Sequence, residues 1–143
     1  MNKLIACLIL LTLSFSTKAD CFDDAAARHR VNPWVLKAIA FGESSFRPNV
    51  ISKNTNNTID VGATGTNSVH FPELRKYGIE PEDLLDPCKS IYVAAWLYRK
   101  KVEKYGNTWD AVGAYHSENS PNKERYIAKI QSILRQWSQV GQF

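Results

Sequence analysis

Residues 33 to 45, PWVLKAIAFGESS, constrain this chain more than any other stretch. Trp34, Val35, Leu36, Ala38, Ile39, Ala40 and Phe41 leave a helix there with hardly any polar face. A helix apolar nearly all round is a buried one. Asn32 and Pro33 mark its start, with proline in the favoured first-turn position. The rest of the chain is therefore read for elements that cover this helix.

A run of good helix formers from Phe22 to Arg30 precedes it. Residues 47 to 67, RPNVISKNTNNTIDVGATGTN, change character: Asn, Thr, Gly and Pro dominate and helical periodicity disappears. We expect an irregular loop wall there, holding a small β-hairpin at about residues 50–66. Its length for a small domain points to a functional wall, with a flexible insertion as the alternative. Short helices are expected at 68–77 and 81–85, punctuated by Gly78 and Pro81. The clearest helix spans 88–104, with Ile91, Ala94, Ala95, Tyr98 and Val102 on one face, and Gly106 stops it. Thr108 can cap a further helix through Tyr115, and a last one runs from about 122 to 137 with Tyr126, Ile127, Ile130, Leu134 and Trp137 inward. The expected fold class is mainly α, without internal repeats.

The N-terminus reads differently. Met1-Asn2-Lys3 is a short positive start, Leu4 to Phe15 is mostly apolar, and Ala19 is a small residue ahead of Asp20. This pattern predicts a secretory signal peptide over residues 1–19, leaving 20–143 as one domain. The apolar run is shorter than the roughly 20 residues a membrane-spanning helix needs. Losing Lys3 and Lys18 with the signal lowers the formal charge from +4 to +2. So small and dispersed an excess gives no reason to expect a nucleic-acid partner. Cys7 would leave as well, and Cys21 and Cys88 remain as an even pair in an exported protein, read as a disulfide rather than two free thiols.

Glu43 is the first candidate for chemistry. A carboxyl between the apolar helix and Phe46 loses solvation in its charged form, so its pKa rises toward the range useful for protonating a leaving group. A glutamic acid in an apolar pocket serves glycosidases in this way. The alternative is a helix-end glutamate pointing to water. Asp60 lies in the polar stretch that follows, and a second carboxylate on a facing wall is what a two-carboxylate glycosidase requires. Its alternative is an ordinary turn aspartate in IDVG. His29, His70 and His116 are too scattered for a metal motif, no GxSxG elbow is present, and no cofactor is called for.

With those residues in view, the chain resembles the lytic transglycosylase (SLT) domain family, the lysozyme-like module of bacterial murein transglycosylases. GESSFRPNV resembles the family's ESxFxPxA signature. In DVGATGTN, Gly62 and Asn67 align with the ends of its GLMQxN segment. AVGAYHS is similar to AYNAG, and RYIAKI to the late YVxKV segment. The likeness spans residues 21 to 137 in the expected order, and it is strongest to small exported members that accompany type III secretion, type IV pilus and conjugation machinery. It implies a lysozyme-like all-α fold with a saccharide cleft, periplasmic action on peptidoglycan glycan strands, and an acid/base role for Glu43. It also implies cleft roles for Ser44, Gly62, Asn67, Tyr115 and Tyr126, the last near the acid and helping to hold it. Two segments depart from the pattern: Ala63-Thr64-Gly65 stands where the family has Leu-Met-Gln, and His116-Ser117 where it has Asn-Ala. Three outcomes follow: a transglycosylase, a lysozyme-type hydrolase pairing Glu43 with Asp60, or a glycan-binding scaffold weakened in catalysis.

Overall fold

The computed structural model describes residues 20–141, so the expected signal peptide lies outside the described residues. Helices α1 (Cys21–His29), α2 (Pro33–Ser44), α3 (Phe71–Arg75), α4 (Pro87–Tyr105), α5 (Trp109–His116) and α6 (Asn122–Gln139) are joined by three short strands, β1 (Ile51–Lys53), β2 (Ile59–Val61) and β3 (Thr66–Asn67). Single 3-10 turns at Ser68–His70 and Pro81–Leu85 flank α3.

Local chemistry sets the helix ends. The Asn32 side chain accepts from the amides of Trp34 and Val35 at 2.9 and 3.3 Å, and Pro33 needs no partner in the first turn. Asp86 accepts from the Lys89 amide at 2.8 Å ahead of Pro87, and Thr108 from the Ala111 amide at 3.4 Å. Helix α2 ends in two consecutive left-handed residues, Ser45 (φ 55°) and Phe46 (φ 63°). That double turn sends the chain away from the helix axis.

As its composition requires, α2 is central. Leu36, Ala38, Ile39 and Ala40 are wholly buried. One side packs Val35, Ala38 and Ile39 with Tyr98 of α4, Ala111 and Val112 of α5, and Tyr126, Ile130 and Ile133 of α6. On another, Leu36 meets Ala25 and Ala26 of α1 and Ile91, Ala94 and Ala95 of α4. The Cys21–Cys88 disulfide clamps the start of α1 to the first turn of α4, with Cα atoms 5.5 Å apart.

Two expectations are extended. Helix α4 buries a further face: Val93 and Leu97 pack with Val61, Phe71, Leu74 and Leu84, which docks the polar segment on the helical body, while Val102 is only partly buried. The expected hairpin is present as β1-β2, and β3 extends it into a three-stranded antiparallel sheet in the order β1-β2-β3. Ile51 pairs with Val61 and Lys53 with Ile59, while Asp60 pairs with Asn67 and Val61 with Thr66. The extra strand forms because Gly65, at φ +61°, reverses the chain, its amide donating to the Gly62 carbonyl at 3.2 Å. Strand alternation then separates neighbours: Val61 is buried in the core, and Asp60 lines a cleft.

Candidate active site

The cleft has a volume of about 580 Å³ and runs between the sheet and the helical body. Glu43, Asp60, Gly65, Asn67, Tyr115 and His116 line it, with Lys53, Asn54 and His70 further along. Helix α2 carries Glu43 in its last turn, β2 carries Asp60, and α5 carries Tyr115 and His116 at its end.

The Glu43 side chain keeps only 14% of its exposure. Burial raises its pKa above the usual carboxylate value. The Tyr126 hydroxyl, His116 and Lys129 offset part of that effect, and Asp60 adds to it. The C-terminal end of α2 acts in the same direction as burial, because its aligned carbonyls disfavour a negative charge. Neither Glu43 Oε1 nor Tyr126 Oη makes a hydrogen bond of ordinary geometry among the described residues, although they sit close enough to shift one another's acidity. Phe46 does not contribute to this pocket as expected. The left-handed turn at the end of α2 places its ring against Phe22, Phe41 and Trp137, where it is 44% exposed. Tyr126 and His116 take the place it was assigned.

Asp60 is held firmly. Its two carboxylate oxygens accept from Asn54 Nδ2 at 3.0 Å and from Asn67 Nδ2 at 2.7 Å. Asn67 also donates to Thr58 Oγ1 and accepts from the Val69 amide, so its amide group is fully engaged in shaping the wall. Asp60 and Glu43 thus face the same cleft from opposite elements.

The segment 62–65, where the chain departs from the family pattern, is a pinned turn. Ser44 Oγ donates to the Ala63 carbonyl at 2.7 Å, Tyr115 Oη donates to the Thr64 carbonyl at 2.9 Å, and the Thr64 hydroxyl lies 2.8 Å from that of Ser90. Three helices therefore hold this turn against Glu43. A Cβ on Gly65 would stand 2.8 Å from Glu43 Oε2, so the missing side chain is what lets the backbone approach the acid. Gly62, at φ +84°, is enclosed: a Cβ there would lie 2.1 Å from the Leu84 carbonyl oxygen.

These positions alter the roles that the resemblance suggested. Ser44 and Tyr126 are 3% and 4% exposed, and neither they nor Gly62 line the cleft. Ser44 and Gly62 hold the wall in place, and Tyr126 backs the acid from within the core. Of the residues assigned to sugar binding, Asn67 and Tyr115 reach the cleft surface. Sequence reasoning missed His116 as a neighbour of the acid. Its Nδ1 is 3.8 Å from Glu43 Oε1, and its ring lies flat on Tyr126, with centroids 4.6 Å apart and planes within 2°. The signals were its place beside Tyr115 and its standing where the family has Asn.

A mainly helical body packed around one apolar helix, with an acid at that helix's end facing a cleft beside a small antiparallel sheet, is a lysozyme-like architecture. The chain belongs to the transglycosylase SLT domain family, whose profile matches residues 20–132. Its relatives include the X polypeptide of Escherichia coli, 35% identical over 94% of this chain and 83% of the relative. Protein IpgF of Shigella flexneri is 36% identical, covering 87% of this chain and 83% of its own. Invasion protein IagB of Salmonella typhi is 34% identical, covering 94% and 88%. The family is that of lytic transglycosylases, which act on peptidoglycan.

Proposed function

We propose that this protein is an active peptidoglycan lytic transglycosylase with Glu43 as its single acid/base. The observation that carries the reading is the Glu43 carboxyl itself, desolvated, raised in pKa and facing a polar cleft large enough for a saccharide. Protonated Glu43 gives its proton to the oxygen between N-acetylmuramic acid and N-acetylglucosamine, and the C1–O bond breaks as the alcohol leaves. Asp60, fixed across the cleft by two amides, favours the positive charge developing at C1. The Glu43 carboxylate then takes the proton of the sugar's 6-hydroxyl as that oxygen attacks C1. The product is a 1,6-anhydro sugar, Glu43 is protonated again, and no water is consumed.

A second reading has its own support. Asp60 on the same cleft could orient a water, which would make the protein a lysozyme-type hydrolase. Mass spectrometry of murein digests separates the two, because hydrolysis adds water and leaves reducing ends. Anhydro ends from the wild type and no release by Glu43→Gln are expected. Reducing ends would overturn the transglycosylase mechanism, and equal release by both proteins would overturn the role of Glu43. If neither releases muropeptides, the scaffold reading stands.

We place the protein in the periplasm of a Gram-negative bacterium, exported by residues 1–19, where it opens the wall for a secretion, pilus or conjugation apparatus. The disulfide and the family's substrate support that placement. No helix among the described residues is long and apolar enough to cross a membrane.

A further inference from the structure

A group that first donates and then accepts a proton needs a neighbour suited to both of its forms. Around Glu43, Lys129 of α6 donates from its ammonium to the Gly42 carbonyl and favours only the carboxylate. Asp60 of β2 opposes the charged form. Tyr115 of α5 commits its hydroxyl to the Thr64 carbonyl. Tyr126 of α6 also favours the carboxylate, through its hydroxyl, but it acts from within the core, 4% exposed and away from the cleft. His116 brings an imidazole to the cleft side of the acid: its side chain is 48% exposed at the cleft surface, and Nδ1 lies 3.8 Å from Glu43 Oε1. An imidazole nitrogen accepts from a carboxylic acid when neutral and donates to a carboxylate when protonated.

We infer that His116 is a positioning residue for Glu43, holding its carboxyl toward the cleft in both protonation states of the acid. The inference rests on the reading of Glu43 as the acid. The flat stack on Tyr126 fixes the plane of the ring and keeps Nδ1 3.8 Å from Glu43 Oε1, an electrostatic contact longer than a hydrogen bond. The imidazole meets Glu43 on α2 through Nδ1 and the Tyr126 ring on α6 through its face. A protonated His116 favours ionised Glu43, in the same sense as Lys129 and against Asp60. Removing the imidazole therefore leaves Glu43 protonated to higher pH.

The test is a carbon-13 NMR titration of the Glu43 carboxyl in wild type, His116→Asn and His116→Phe, the last retaining an aromatic ring to stack on Tyr126 but no nitrogen. The midpoint should rise by about half a pH unit or more in both variants, the scale of an opposite charge lost at this distance and partial exposure. In murein digestion the alkaline limb should move up in step, with kcat falling more than KM rises. A purely structural role would lower stability and rate but leave the midpoint in place. An unchanged Glu43 midpoint in both variants overturns the inference. The titration does not depend on turnover, so inactivity of the wild type or full activity of Glu43→Gln would overturn the catalytic reading separately.

Discussion

Replacing Gly65 by alanine tests whether the pinned turn sets the position of the acid. The new methyl would lie 2.8 Å from Glu43 Oε2 and 3.2 Å from its Cβ and Cδ, well inside van der Waals contact. The wall cannot yield easily, because Ser44 and Tyr115 hold the two preceding carbonyls. The carboxyl is the freer partner and should be displaced. Alanine at φ +61° adds roughly 1–2 kcal/mol of backbone strain. We expect a stability loss of about 2 kcal/mol, read as a melting temperature lower by about 8 °C for a chain of this size. Muropeptide release should fall by about 10- to 100-fold, the usual consequence of moving a reacting group by a fraction of an ångström to one ångström. Gly78→Ala is the control: it carries the same strain at φ +72° but has nothing within 4 Å of the added carbon. It should lose similar stability and keep the wild-type rate. If Gly65→Ala also keeps that rate, or the two variants lose rate equally, the geometric argument fails.

Three further outcomes follow from the same contacts. Folded Glu43 keeps its proton to higher pH than unfolded Glu43, so stability falls as pH rises from the unfolded value through the folded one. Glu43→Gln should therefore melt above the wild type at neutral pH, with the gap closing by about pH 4; a gap constant with pH would refute this. Asp60→Asn turns an NH2 toward one of the two Asn donors, so it should lower turnover and modestly lower the melting temperature while the circular dichroism stays that of the wild type; unchanged turnover would reduce Asp60 to a residue that shapes the wall. Replacing both Cys21 and Cys88 by serine opens a loop spanning 67 positions and should cost about 4 kcal/mol in urea unfolding on the chain-entropy account; a loss under about 1 kcal/mol would show that the α1–α4 contact holds without the bond.

Much of the architecture could be read in advance because its determinants are local. Asn32-Pro33, the cap at Thr108 and the stop at Gly106 act within a turn or two, and the apolar run from Trp34 to Phe41 demands burial whatever covers it. Glu43 was legible for the same reason, as an ionisable group at the end of a segment that excludes water. Periodicity could not show that α4 has a further buried face, since Val93 and Leu97 acquire their partners only when the sheet docks on that helix.

The amino-acid sequence thus determined the helices, the central place of α2 and the chemical character of Glu43, all of which depend on interactions a few residues apart. The tertiary structure decided what surrounds the acid. Two left-handed residues turned Phe46 away from it, and chain crossings brought His116 and Tyr126 to it from the far end of the sequence. The altered wall at Ala63-Thr64-Gly65 looked like a loss, but it folds into a turn held by Ser44, Ser90 and Tyr115, with Gly65 giving room for the carboxyl. Contacts of this kind depend on distances in space between groups remote along the chain, and no local pattern encodes them.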